Sequence, residues 1–210
     1  MQNVALIDYG SGNLRSAEKA LVKAADGASQ IVVTCDPETV ANADRIVLPG
    51  VGAFSACMNA LSERPGLIEA MTEAVRTKGQ PFLGICVGMQ LLASRGLEFG
   101  ETRGLDWIGG DVRRIESADP AIKIPHMGWN TLVNPHGPAP IAAIGDQPMY
   151  FTHSFAFYPD DETDVVAWVD HGGQFPAAVA KGNVAGVQFH PEKSQSAGLA
   201  LLARFLEWRP

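Results

Sequence analysis

The chain has 210 residues, 46% hydrophobic and 19% charged, with a net charge of −7. That length builds one sizeable core but not two, and the negative balance argues against a protein that grips nucleic acid by neutralising phosphates. No apolar run reaches the roughly 18 residues of a membrane span, and the opening "MQNVALIDYG" lacks the basic start and apolar stretch of a secretion signal, so a cytoplasmic location is expected.

In chain order, "NVALID" (3–8) reads as a buried strand and 13–25 as an amphipathic helix. "QIVVT" (30–34) and "DRIVLPG" (44–50) are further strands, with helical segments at 53–61 and 66–78. "PFLGI" (81–85) is a fourth strand and feeds a helix from Gly88 to about Arg95. Apolar strands alternating with helices predict a parallel sheet covered on both faces. Beyond Gly104 the pattern changes: 104–133 mixes glycine, proline and β-branched residues, predicting short strands and loops. "MYFTHSFAF", "DVVAWV", "FPAAVA" and "VAGVQFH" follow as strands with hairpin-like joins such as Lys181-Gly182-Asn183, and a helix over 195–208 closes the chain. The expected fold is one α/β domain over residues 1–210, a mostly parallel sheet flanked by helices with a mixed or antiparallel extension.

Cys35, Cys57 and Cys86 are odd in number and contain no C-x-x-C pair, so neither a disulfide framework nor a zinc ribbon is expected. The five histidines show no helix-borne ligand spacing, so no metal is expected; no cofactor is expected either. Cys35 and Cys57 read as packing residues. The one adjacent basic pair, Arg113-Arg114, reads as a solvated strand edge.

Cys86 is different, because it stands in Gly84-Ile85-Cys86-Val87-Gly88. This is the G-x-nucleophile-x-G spacing of a strand-to-helix elbow, whose crowded corner excludes side chains two positions either side. Such a corner presents the thiol at the carboxyl end of the sheet, near the positive end of the next helix, which favours thiolate. It also leaves the Val87 N–H placed to receive an oxyanion. The alternative is a buried cysteine at a glycine-rich strand end, since the G-x-[SC]-x-G spacing recurs by chance. A thiol nucleophile needs a base and the base an orienter. "GVQFHPEKS" supplies both types, with His190 and Glu192 two apart around Pro191 in a segment expected to be extended, so that the two side chains project together.

Together the two motifs resemble the class I, triad-type glutamine amidotransferases, and "VLPGVGAF" (47–54) resembles that family's oxyanion loop. The three occur in family order and span nearly the whole chain. The resemblance implies Cys86 as nucleophile, His190 as acid and base, and Glu192 as orienter. It further implies Gly50, Val51, Gly52 and Val87 as the oxyanion site. Glutamine would be bound by Gly52, Gln90 and the backbone around His153 and Ser154. "IDYGSGNLRS", "PHMGWN" and "YFTHSFAF" are similar to the branch of the family that supplies ammonia to a (β/α)8-barrel cyclase in histidine biosynthesis. That implies a heterodimer with a cyclase subunit, which Tyr9, Asn13 and the loop of Met127, Gly128, Trp129 and Asn130 would meet. Val87 stands where leucine is usual and Phe155 where tyrosine is common, and both leave the backbone available. Glycine on either side of Val51 would let that peptide flip, so the oxyanion donor is expected to align only with the cyclase bound. Two readings remain open beside this one: a subunit of another synthase (anthranilate, pyridoxal phosphate or purine type), and a non-catalytic relative. The G-x-G of "YGSGN" carries Arg15 where a dinucleotide loop needs a third glycine, and reads as a turn.

Overall fold

The computed structural model describes residues 1–117 and 119–210. Ala118, inside the 104–133 stretch, lies outside the described residues.

Four strands open the main sheet: β1 (Gln2–Ile7), β2 (Ser29–Thr34), β3 (Arg45–Gly50) and β4 (Phe82–Cys86). Every residue of β3 and β4 is buried, as a strand covered on both faces requires. Between them run α1 (Leu14–Ala25), α2 (Pro37–Ala41), α3 (Phe54–Ser62) and α4 (Leu67–Thr72), the last continuing as a π turn over Glu73–Thr77. α2 was not expected; the Asp36 carboxylate starts it by accepting from the Thr39 N–H at 2.9 Å, with proline at the first helical position.

After β4 comes α5 (Val87–Gln90), only four residues long, where the sequence suggests a helix to about Arg95. The carbonyls just beyond it are taken: Leu91 O accepts from Leu105 N, Leu92 O from Trp107 N and Ala93 O from Asp106 N. The helix has already tightened before that, with Leu92 N donating to Met89 O and Ala93 N to Gln90 O three residues back, and of the carbonyls a helix to Arg95 needs, Leu91 O is the one the 105–107 segment takes. β5 (Arg95–Gly96), β6 (Thr102–Arg103) and β7 (Gly110–Arg114) follow, then β8 (His126–Val133), α6 (Ala139–Ala142), β9 (Pro148–His153) and β10 (Phe155–Pro159). "MYFTHSFAF" is therefore two strands broken at Ser154, which belong to different sheets. β11 (Val165–Asp170), β12 (Gln174–Lys181), β13 (Val184–Val187) and α7 (Gln195–Glu207) complete the chain.

The main sheet has the order β2-β1-β3-β4-β13-β12-β11-β8-β9. Its first five strands are parallel and the pairs from β13 outward antiparallel, as expected of a mixed extension. β12 and β13 join through Gly182-Asn183, with Gly182 at φ 58° as a two-residue hairpin beginning with glycine demands. A second sheet of order β10-β7-β5-β6 lies beside the first. Arg113 and Arg114 end β7, both exposed, paired with Ala156 and Phe155 of β10 on one side and beyond the reach of β5 on the other, as a solvated strand edge requires, and Arg113 stacks 4.2 Å over the Tyr158 ring. The direction of right-handed crossovers puts α1 opposite α2 to α4, and α7 packs on α1. The consequence for function lies at the centre: β4 runs between β3 and β13, so Gly50, Cys86 and the chain just beyond Val187 emerge side by side.

Candidate active site

Cys86 is the last residue of β4 and sits at φ 55°, ψ −113°, a conformation that L residues adopt only under strain. Holding it costs on the order of 1–3 kcal/mol, which surrounding packing must offset. The flanking glycines explain how the corner closes. A Cβ on Gly88 would overlap the Leu48 carbonyl oxygen of β3, and one on Gly84 would collide with the backbone of Gly88 and Met89. The thiol is 4% exposed and looks into a cavity of about 420 Å³, whose walls include Val51, Gly52, Val87, Gln90, Thr152, His153, Ser154, Phe155 and His190.

His190 enters from the chain that follows β13. The segment is not extended as the sequence suggests: Pro191–Lys193 form a 3₁₀ turn. The turn still brings the side chains together, with His190 Nδ1 2.8 Å from Glu192 Oε1 and both side chains buried. A carboxylate only accepts, so Nδ1 carries the proton and Nε2 is left to exchange one. Nε2 has no hydrogen-bond partner among the described residues. Burial pulls the imidazole toward its neutral form, but Cys86 and the Glu192 carboxylate outweigh it and push His190 up to about 9.

The segment 50–52 flanks the nucleophile, since Gly50 is the register partner of Cys86. Its backbone is tied from behind: Tyr9 Oη donates to Pro49 O at 2.8 Å, Ser11 Oγ to Val51 O at 2.8 Å, and Cys57 Sγ to the same oxygen at 3.4 Å. A planar trans peptide points N–H opposite to C=O, so the Gly52 N–H faces away from Ser11 and Cys57. Burial raises the Cys57 thiol, which is a neutral donor here, whereas Cys35 is exposed and not the packing residue expected. Tyr9 is also corrected: at 1% exposed it lies beneath this segment and offers no surface to a partner.

Gln90 projects back from α5 toward the cavity. Its Nε2 donates to Phe155 O and to Gln188 Oε1, each at 2.9 Å, and its oxygen has no hydrogen bond among the described residues. Gln188 Nε2 stands 3.7 Å from Cys86 Sγ. His153 and Ser154 border the cavity, but the His153 ring is spent elsewhere: Nδ1 is 2.9 Å from Phe155 O and Nε2 is 3.0 Å from His126 Nδ1. His126 Nε2 is in turn 3.1 Å from Asn130 Nδ2. Burial is the main reason that His126 drops to about 3 and His153 to about 4, so both are neutral.

The stretch 127–130, read as a loop, is the middle of β8. Strand alternation turns Met127 (63% exposed) and Trp129 (49% exposed) outward. Asn130, by contrast, spends its amide inside, on His126 and on Asp170 O at 2.8 Å. Asn13 is exposed beside α1. The structure thus brings Cys86, His190, Glu192, Gln90 and 50–52 to one place and sets Asn13, Met127 and Trp129 at the surface. The residues missed from the sequence are Gln188, Ser11 and Cys57. A glutamine inside the apolar "VAGVQFH" was the one available signal, because a buried amide must have partners.

Residues 5–208 match the family model described as glutamine amidotransferase class-I. The chain is 63% identical to "Imidazole glycerol phosphate synthase subunit HisH" of Caulobacter vibrioides, covering 100% of both chains. Proteins of the same description from Zymomonas mobilis and Rhodospirillum rubrum are 53% and 55% identical, over 99% of this chain and 96% and 99% of theirs. Among solved structures, a glutamine amidotransferase superposes with a TM-score of 0.73 at 20% identity, covering 97% of each chain. The glutaminase domain of Trypanosoma brucei CTPS with bound acivicin gives 0.62 at 15% identity, over 100% of this chain and 96% of that one. At such identities the two structures establish the shared fold.

Proposed function

Because this chain belongs to the class-I glutamine amidotransferases, we propose that Cys86, His190 and Glu192 hydrolyse the side-chain amide of glutamine. The chain is the glutaminase subunit of an imidazole glycerol phosphate synthase, in histidine biosynthesis, and its partner is the cyclase subunit. We take residues 1–210 as one amidotransferase domain. We place it in the cytoplasm, where the free thiol that this chemistry needs stays reduced.

One observation carries the assignment of roles: a strained, glycine-flanked thiol shares a cavity with a buried histidine whose other nitrogen is held by a carboxylate. The Cys86 thiolate attacks the amide carbon, and the charge that develops on oxygen is received by backbone N–H groups of Val87 and the 50–52 segment. One such donor is worth around 3 kcal/mol in the transition state. Protonated His190 then gives its Nε2 proton to the departing nitrogen, which leaves as ammonia with a thioester behind. Neutral again, His190 takes a proton from water, and the hydroxide releases glutamate and restores the thiolate. Glu192 fixes the histidine tautomer throughout. The free oxygen of Gln90 suits the substrate ammonium group. Ammonia passes to the cyclase, which makes imidazole glycerol phosphate and aminoimidazole carboxamide ribotide.

A glutamine-mimicking diazoketone tests this reading, since it should alkylate Cys86 and neither Cys35 nor Cys57. In Glu192→Gln the reaction should slow by roughly 10²- to 10⁴-fold. The carboxylate raises His190, so its loss lowers that histidine and moves the alkaline limb of the pH–rate profile down from near pH 9. Peptide mass mapping reads both, and labelling spread over all three cysteines would refute the assignment.

For docking, the outward side chains of β8 are the candidate anchors. Trp129→Ala should weaken cyclase binding by about 10- to 100-fold, the usual cost of truncating a central aromatic anchor. An unchanged affinity by titration calorimetry places the docking face elsewhere.

A further inference from the structure

Gln188 is 0% exposed, stands one residue beyond β13, and has no place in the triad. The pairing of Val187 with Ile85 puts the next residue of each strand, Gln188 and Cys86, alongside one another. Which end of the Gln188 amide faces the sulfur follows from its neighbours. The Phe155 carbonyl can only accept, so the Gln90 group 2.9 Å away must be its NH2. The same Gln90 NH2 lies 2.9 Å from Gln188, so that contact must be the Gln188 oxygen. The Gln188 NH2 is then the end left 3.7 Å from Cys86 Sγ. Turned the other way, the amide would set oxygen lone pairs against a thiolate and two NH2 groups against each other.

Resting on the reading of Cys86 as the nucleophile, we propose that Gln188 is a positioning residue that holds an N–H donor on the sulfur and favours its charged form. A hydrogen bond to the charged state of an acid stabilises that state. The donor is buried, so water does not compete with it, and it is oriented before substrate arrives, which is the condition for useful electrostatic stabilisation. Cys86 and His190 both line the cavity, while Gln188 reaches the sulfur from outside it.

The test uses the complex with the cyclase subunit and compares wild type with Gln188→Met, which keeps length but removes the donor, and Gln188→Glu, which keeps shape but sets an acidic group there. Iodoacetamide alkylation is followed at Cys86 by peptide mass, as a function of pH. The expected result is a midpoint about one pH unit higher in Gln188→Met and higher still in Gln188→Glu. Glutamine-driven synthesis should fall at least about 10-fold, with synthesis from added ammonium salt unchanged. A Gln188→Met profile superimposed on wild type, in a complex that still uses ammonium, overturns the proposal. Should either variant fail to fold, the unmodified chain still decides: the Gln188 side-chain amide resonance must titrate together with Cys86 alkylation, and an amide insensitive to that ionisation also overturns it. Failure of the underlying reading looks different, because glutamine-driven synthesis would then survive complete alkylation of Cys86.

Discussion

Cys86→Ser is expected to lower glutamine-driven synthesis by roughly 10⁴-fold or more, the scale seen when a covalent catalyst loses its nucleophile, while synthesis from ammonium salt continues at the wild-type rate. The separation follows from the site's position. The proposed glutamine site surrounds the end of β4, and the hydrogen bond that the sulfur receives from Gln188 Nε2 at 3.7 Å is one that serine's smaller oxygen loses without disturbing the core. Serine also keeps a β carbon at the strained φ of 55°, so the corner survives. Its hydroxyl, however, ionises far less readily than a thiol and gains little from a base poised for sulfur. Steady-state assays with each nitrogen donor check this. Parallel loss of both activities would assign Cys86 a structural part instead.

Gly88→Ala should be the most damaging single-methyl change at the site. The added carbon meets the Leu48 carbonyl, which is main chain of a fully buried strand and cannot swing aside. Relief requires β3 or the elbow to move. Overpacking of this kind costs about 3 kcal/mol, and at 2–4 °C per kcal/mol for a chain of this size the thermal midpoint should drop by roughly 6–12 °C. Moving the elbow also displaces the Val87 N–H, so glutaminase activity should be lost even in the fraction that folds. Gly109→Ala is the control, since its new carbon meets only the Asp160 carboxylate, a side chain able to turn away. Thermal melts of the two variants that coincide would mean that the corner tolerates a side chain.

The parallel half of the fold was legible because its strands are buried on both faces and therefore read as uninterrupted apolar runs. β3 and β4 match their expected limits to within a residue. In the proposed site, glycines two either side of a cysteine report the crowded corner that β4 makes, whereas the carboxylate two beyond a histidine meets it through a 3₁₀ turn and not through the extended segment that the spacing suggests. What stayed hidden depended on distant partners. Past α5 the chain tightens into i→i+3 turns, and the carbonyls of Leu91 to Ala93 pair with residues 105–107, a partner stretch that the local sequence does not show. β8 looked like a loop because Gly128 interrupts it, yet its pairing with β9 makes it a strand. Tyr9 was expected at the partner face through the family resemblance alone. Its phenol instead finds Pro49 O across the fold, and nothing in "IDYG" announces that acceptor.

The histidines behind the cavity form a string with one direction. Phe155 O can only accept, so His153 donates to it, His126 donates to His153, and Asn130 donates to His126. That same oxygen anchors Gln90. Strand β8 therefore shows aromatic and thioether groups to the outside while its inward side chains end on the atom that sets the pocket's amide. Reversing any link would aim two protons at one another, and a charged ring at either histidine would do the same. With both imidazoles held neutral far into the acid range, the polarity of this wire stays put through ordinary changes of acidity.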